Sequence, residues 1–112
     1  MSTIVLVTGG FDPLHSGHIA YFEAAREFVP DPEAGDQLWV ALNSDSWLAN
    51  KKGRSFMPIQ ERASIVKNLR MVDRVITGFD DSDGSASGAI HKAYTLGAEH
   101  IVFANGGDRG TE

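Results

Sequence analysis

Thr3-Ile4-Val5-Leu6-Val7-Thr8 runs straight into Gly9-Gly10-Phe11-Asp12-Pro13-Leu14-His15-Ser16-Gly17-His18. The first stretch is β-branched and apolar, and turn-forming residues close it, which reads as a buried parallel strand. Beyond the turn, residues 17–29 place Ile19, Phe22, Ala25 and Val29 at helical spacing, with Glu23, Arg26 and Glu27 turned elsewhere. The glycine-rich loop with its two histidines therefore lies between the carboxyl end of a strand and the amino end of a helix. The rest of the chain repeats that alternation.

Pro30-Asp31-Pro32 stops the first helix, since proline lacks an N–H and restricts the residue before it. Residues 37–42 read as a second strand. Residues 43–57 read as a polar loop with at most a short helical turn around Trp47. Pro58 suits a first helical position, with Glu61 in the first turn near the positive end of the helix dipole. Ile65, Leu69 and Val72 continue that helix as an apolar stripe, which puts Arg62 and Arg70 on one helix. Residues 73–77 read as a third strand, 79–88 as a mobile loop rich in Asp, Ser and Gly, 89–96 as a third helix, and 100–104 as a fourth strand. A β-α-β-α-β-α-β order predicts an α/β, Rossmann-like doubly wound parallel sheet with helices on both faces. The last strand leads into Asn105-Gly106-Gly107-Asp108, and strand-end loops build the ligand site in such sheets. The expectation is one domain over residues 1–112, truncated at its C-terminus and lacking a last helix and strand.

Composition narrows the function classes. The chain has 112 residues, 42% of them hydrophobic and 22% charged, with a formal net charge of -5. An acidic chain is a poor polyanion binder, so no nucleic-acid partner is expected. There are no cysteines, which removes disulfides, thiolate metal sites and a catalytic thiol, and fits a reducing compartment. The apolar run at 4–7 is too short for a signal peptide or a span. A cytoplasmic protein with no membrane partner is expected.

The loop at 9–18 sits where anions are favoured, because the first N–H groups of a helix lack partners and the dipole is positive there. Gly9, Gly10 and Gly17 would let a ligand approach the backbone. Neither G-x-x-x-x-G-K-[ST] nor G-x-G-x-x-G occurs here. His15 and His18, three apart near a helix start, can instead donate ring N–H bonds to phosphate oxygens. Fixed donors aimed at charge that grows in the transition state are a large source of rate enhancement in phosphoryl chemistry.

On these residues the chain resembles the cytidylyltransferase-like nucleotidyltransferases, whose signature is H-x-G-H. Asn43-Ser44-Asp45, the run Lys51-Lys52-Gly53-Arg54, then Pro58-Ile59-Gln60-Glu61-Arg62, Arg70-Met71-Val72-Asp73 and Gly106-Gly107-Asp108 follow in the order seen in glycerol-3-phosphate cytidylyltransferases and heptose-phosphate adenylyltransferases. The resemblance implies transfer of CMP or AMP from a nucleoside triphosphate to a small phosphorylated acceptor, a sugar or polyol phosphate. Pyrophosphate leaves, and Mg2+ assists with CTP or ATP as substrate. It implies that His15 and His18 hold the α- and β-phosphates. Lys51 or Lys52 would bind the triphosphate and neutralise the leaving pyrophosphate. Gly9, Gly10, Phe11 and Gly17 would lie along the nucleotide, as would Gly107. Asp12 would position the loop or the acceptor, and Asp108 would approach the ribose. Asp45, Arg62 and Arg70 fall to the acceptor side or to holding the site together. A homodimer is implied too. The family's second signature, an R-T-x-G-I-S-T-T-like segment after the fourth strand, is not matched in these 112 residues, which motivates a rival reading as a catalytically incomplete nucleotide-binding module.

Plainer roles stand beside these. A zinc site from His15, His18 and Asp12 is possible in principle, but no third histidine is near in sequence, and no protein metal ligand is expected. His91 and His100 read as ordinary residues. Asp80, Asp81 and Asp83 read as an acidic loop before they read as a metal cluster. Trp39 reads as core; Trp47 reads equally as a plain loop residue or as one that faces the acceptor or a partner. The sequence leaves CTP against ATP and Lys51 against Lys52 open.

Overall fold

The computed structural model describes residues 2–104. Four strands, β1 (Thr3–Gly9), β2 (Gln37–Leu42), β3 (Arg74–Ile76) and β4 (His100–Phe103), form one sheet in the order β3-β2-β1-β4. Every pairing is parallel, with Val5 opposite Leu38 and Ile4 opposite Ile101. Four helices connect them: α1 (Ser16–Arg26), α2 (Asp45–Lys52), α3 (Ile59–Lys67) and α4 (Ser87–Thr95). The doubly wound α/β reading holds.

Strand alternation fills two cores. Val5, Val7, Leu38 and Val40 pack on one face with Phe22 and Ala25 of α1 and Val66 of α3. Ile4, Leu6, Trp39 and Ala41 pack on the other with Ala89 and Ala93 of α4. Each fully buried Val, Leu, Ile or Phe side chain contributes about 1.5–3 kcal/mol. The two-sided arrangement follows from handedness. The chain steps from β1 to β2 to β3 in one direction, and right-handed crossovers put α1 and α3 on one face. It then reverses, passing over both inner strands to reach β4, and the same handedness puts α4 on the opposite face. The strand order therefore switches between β1 and β4, and ligands bind in the crevice at the carboxyl ends there. The loop after β1 opens at that point.

The first helix ends at Arg26, short of the expected Val29, and three further differences from the sequence reading bear on the site. The stretch after β2 holds a helix, α2, of eight residues rather than a single turn. Ser44 caps it, its hydroxyl accepting the Trp47 N–H at 3.0 Å. Gly53, at φ 90°, ends it in the left-handed region, with Lys51 and Lys52 in the last turn. Only Leu48 is buried, so the periodic signal was weak while both caps were in plain view. Pro58 is the capping residue of α3 and not its first helical position. Finally, α3 ends at Lys67, so Arg62 and Arg70 do not share a helix. Among the described residues no helix is long and apolar enough to cross a membrane.

Candidate active site

The loop between β1 and α1 is built around Phe11. Its backbone takes φ 51°, unusual for a residue with a side chain, at a cost of about 1 kcal/mol. The turn drives the ring into the core, 8% exposed, edge-on to Phe22 at 4.9 Å and to His18 at 5.0 Å. What Phe11 can offer a nucleotide is therefore main chain, with its ring as the floor.

Asp12 follows and braces the loop. Its Oδ1 accepts the Met57 N–H and its Oδ2 the Phe56 N–H, each at 2.6 Å. The Lys52 ammonium lies 3.3 Å from Oδ2 and also donates to the Asp12 carbonyl. Burial opposes ionisation of this carboxyl, but the two backbone donors and Lys52 outweigh it and hold its pKa below the usual value. Asp12 thus ties the first loop to the segment entering α3.

His15 and His18 cap α1 reciprocally. The Gly17 N–H donates to His15 Nδ1 at 3.0 Å, and the His15 N–H donates to His18 Nδ1 at 3.3 Å. Such a box satisfies two donors that the helix leaves unpaired. The rings stack with centroids 3.9 Å apart. Because each Nδ1 already accepts a bond, each neutral ring carries its proton on Nε2, so the caps fix the tautomer of both. Desolvation, and then the neighbouring His15, lower the pKa of His18. The site therefore presents two Nε2–H donors at the amino end of a helix.

The glycines make room for the protein itself. A Cβ on Gly17 would lie 2.8 Å from the His15 ring, one on Gly9 2.9 Å from Phe11, and one on Gly10 2.6 Å from Leu48. Arg62 gathers the surrounding segments. It is fully buried and donates to the carbonyls of Gly10 and Asn43 at 2.8 Å, to that of Met57 at 2.9 Å, and to Asp45 Oδ1 at 2.6 Å. Three loops are held by one guanidinium, so Arg62 and Asp45 hold the site together. Arg70 shares none of these partners: its side chain is 87% exposed and pairs with Glu23 of α1 at 3.4 Å.

The two lysines diverge. Lys52 is engaged by Asp12 and lies over Phe56. Lys51 lies over the Trp47 ring, 4.7 Å from its centroid, with no ion pair among the described residues. Lys51 and Trp47 line a cavity of about 460 Å³ that reaches Thr8 and Gly9 at the end of β1. A second hollow, of about 370 Å³ between α1 and β4, has an almost wholly apolar lining including Phe28 and Val102, and offers no converging polar groups.

Sequence reasoning missed Asp81. Its carboxylate accepts from the Ser44 N–H at 2.8 Å, the Ser44 hydroxyl at 3.1 Å and Asn43 Nδ2 at 3.2 Å. The loop read as mobile is thereby pinned to the start of α2. Asp80 and Asp83 turn back on Ser82 and Ser85, and those hydrogen bonds lower both pKa values. No local pattern marks Asp81 apart from its two neighbours. Gly107 and Asp108, expected at the nucleotide, lie outside the described residues.

A glycine-rich loop at the switch point, leading into a helix capped by paired histidines, marks the candidate site of a Rossmann-like domain. A family model described as cytidylyltransferase-like matches residues 6–103, and the chain belongs to that family. The bifunctional protein HldE of Alkalilimnicola ehrlichii is 38% identical over 78% of this chain and 17% of its own length. HldE of Enterobacter sp. is 32% identical over 94% of this chain and 23% of its own length. The chain thus spans about a fifth of these relatives. Among solved structures, the lipopolysaccharide core biosynthesis protein of Thermoplasma volcanium aligns with a TM-score of 0.61 at 25% identity, covering 95% of this chain and 98% of that one.

Proposed function

We propose that this domain transfers a nucleotidyl group, CMP or AMP, from a nucleoside triphosphate to a small phosphorylated acceptor such as a sugar or polyol phosphate. The observation that supports the reading is the reciprocal His15–His18 cap, which occupies both Nδ1 atoms and leaves two ring Nε2–H donors at the helix start. A phosphate oxygen of the acceptor attacks the α-phosphorus, the bond to the β-phosphate bridging oxygen breaks, and pyrophosphate leaves. Negative charge grows on the non-bridging and leaving oxygens, where fixed donors stabilise it most. Lys51, with no carboxylate partner among the described residues, is the cation for the phosphates; Lys52 is committed to Asp12. Magnesium enters with the triphosphate as part of the substrate, since both Asp12 oxygens are already occupied. The homodimer and the cytoplasmic setting belong to this reading, and a monomeric mass by light scattering would remove the first.

The test is calorimetric titration with Mg-CTP and Mg-ATP, together with a pyrophosphate-release assay over a panel of sugar and polyol phosphates. Binding of one nucleotide that disappears in His15→Ala/His18→Ala, with release dependent on an acceptor, is the expected result. Binding without release under any acceptor would favour a nucleotide-binding module, and no binding at all would sink the reading.

A further inference from the structure

The cavity on the α4 side of the sheet has features that the phosphate chemistry does not use. Trp47, half-buried on α2, walls it. The same indole also walls a second hollow, of about 520 Å³, bounded by Ser46, Asn50 and the loop around Ser82. Trp47 thus stands between a compartment that touches Gly9 and one that opens outward. Among the described residues, the side chains of Ser46, Asn50 and Lys51 make no hydrogen bond, while Ser82 and Ser85 are committed to Asp80 and Asp83.

We propose that Trp47 determines acceptor specificity, selecting a phosphate carried on a closed sugar ring over one carried on an open polyol. This rests on the transfer reading above. The face of an indole is apolar with a negative quadrupole, as the Lys51 ammonium over it attests. A pyranose presents a rigid face of weakly positive C–H groups that can stack there, while its hydroxyls point outward to hydrogen-bonding side chains such as Asn50. An open polyol must freeze several rotors to offer a similar surface, and it loses that entropy on binding. Lys51 adds a gate. Among the described residues it has no carboxylate to hold it, so a phosphate arriving at the site draws the ammonium off the ring and uncovers the face that the sugar then occupies. The wall itself is rigid. Asp81 clamps the far loop to Ser44, and the Trp47 N–H is the one that Ser44 caps.

The experiment titrates the 112-residue chain with mannose 1-phosphate and with glycerol 3-phosphate, by calorimetry and by indole fluorescence, in wild type, Trp47→Phe and Trp47→Leu. Thermal unfolding checks that each variant folds. The wild type should prefer the ring phosphate by about tenfold, the scale of one aromatic stacking contact. That preference should fall within about twofold in Trp47→Leu, which keeps bulk but has no aromatic face, and survive in part in Trp47→Phe. The ring-phosphate fluorescence change should vanish in Trp47→Phe, leaving buried Trp39 silent. A wild type without preference overturns the proposal. So does a preference unchanged in Trp47→Leu, or equal weakening of both ligands, which would make Trp47 a structural wall. The transfer reading fails separately: selective ring-phosphate binding with no pyrophosphate release from either nucleotide would remove transfer and leave the selectivity standing.

Discussion

His18 receives the backbone N–H of His15 on Nδ1 at 3.3 Å, while the His15 ring receives that of Gly17 at 3.0 Å. The same two side chains thus start helix α1 and supply the site's ring donors. Capping and chemistry can be separated by substitution.

His15→Asn keeps an oxygen able to accept the Gly17 N–H but lacks the Nε2–H donor. Its melting temperature should stay near wild type, whereas His15→Ala should lose about 1 kcal/mol, the usual value of a cap. Both should lose transfer by about a hundredfold or more. Thermal unfolding alongside a turnover assay reads the two effects apart, and full activity in His15→Asn would show that the ring donor is not used.

The pH dependence of stability follows from His18. Its folded pKa lies below the ordinary value of 6.5 because of desolvation and then the neighbouring His15. Between those two values the unfolded chain binds more protons than the folded one, so stability rises with pH through that window. Acidification from neutral pH should therefore weaken the domain, as read from urea midpoints, and His18→Gln should flatten that part of the profile. A profile identical in the variant would assign the slope to other groups.

Arg62→Ala should cost about 3 kcal/mol or more, since it strips the carbonyls of Gly10, Asn43 and Met57 of a buried charged donor. Arg62→Lys should recover little of that, because an ammonium cannot reproduce the planar fork. Denaturant titration of the three proteins checks both statements, and a lysine variant as stable as wild type would mean that charge alone suffices.

Gly88 and Gly10 give a paired prediction. A Cβ on Gly88 would lie 1.8 Å from the Asp80 carbonyl oxygen, whereas one on Gly10 would meet a Leu48 methyl at 2.6 Å. Backbone cannot step aside and a leucine tip can. Gly88→Ala should therefore lose roughly 2 kcal/mol, and Gly10→Ala clearly less, by the costs of overpacking. Equal losses in urea would mean that the loop before α4 yields more easily than its carbonyl contact implies.

Much of the fold was legible in the sequence because buried parallel strands announce themselves: Val5 and Val7, and Leu38 and Val40, had no other way to be read. Helix α2 was not legible by period, since Leu48 is its single buried residue, although Ser44 and Gly53 bracket it as caps. The paired histidines stood out because their loop follows a strand. Arg62 could be named but its job could not, because its carbonyl partners lie 5, 19 and 52 positions away, and only folding brings them together. Asp81 left no trace, its partners lying 37 and 38 positions earlier. The mistaken pairing of Arg62 with Arg70 came from extending an apolar stripe past Lys67, where Leu69 and Val72 still pack but no longer as helix.

The reversal of strand order has an architectural consequence. Among the described residues the mouth at the carboxyl edge is assembled from three segments far apart in the chain, after β1, after β2 and after β3, and none of them lends a strand to the sheet beneath. Each segment can be lengthened, shortened or exchanged at little cost to the other two strands' pairing. A domain organised this way can be given new cargo by grafting the third segment while the first, the phosphate loop of the proposed reaction, stays as it is.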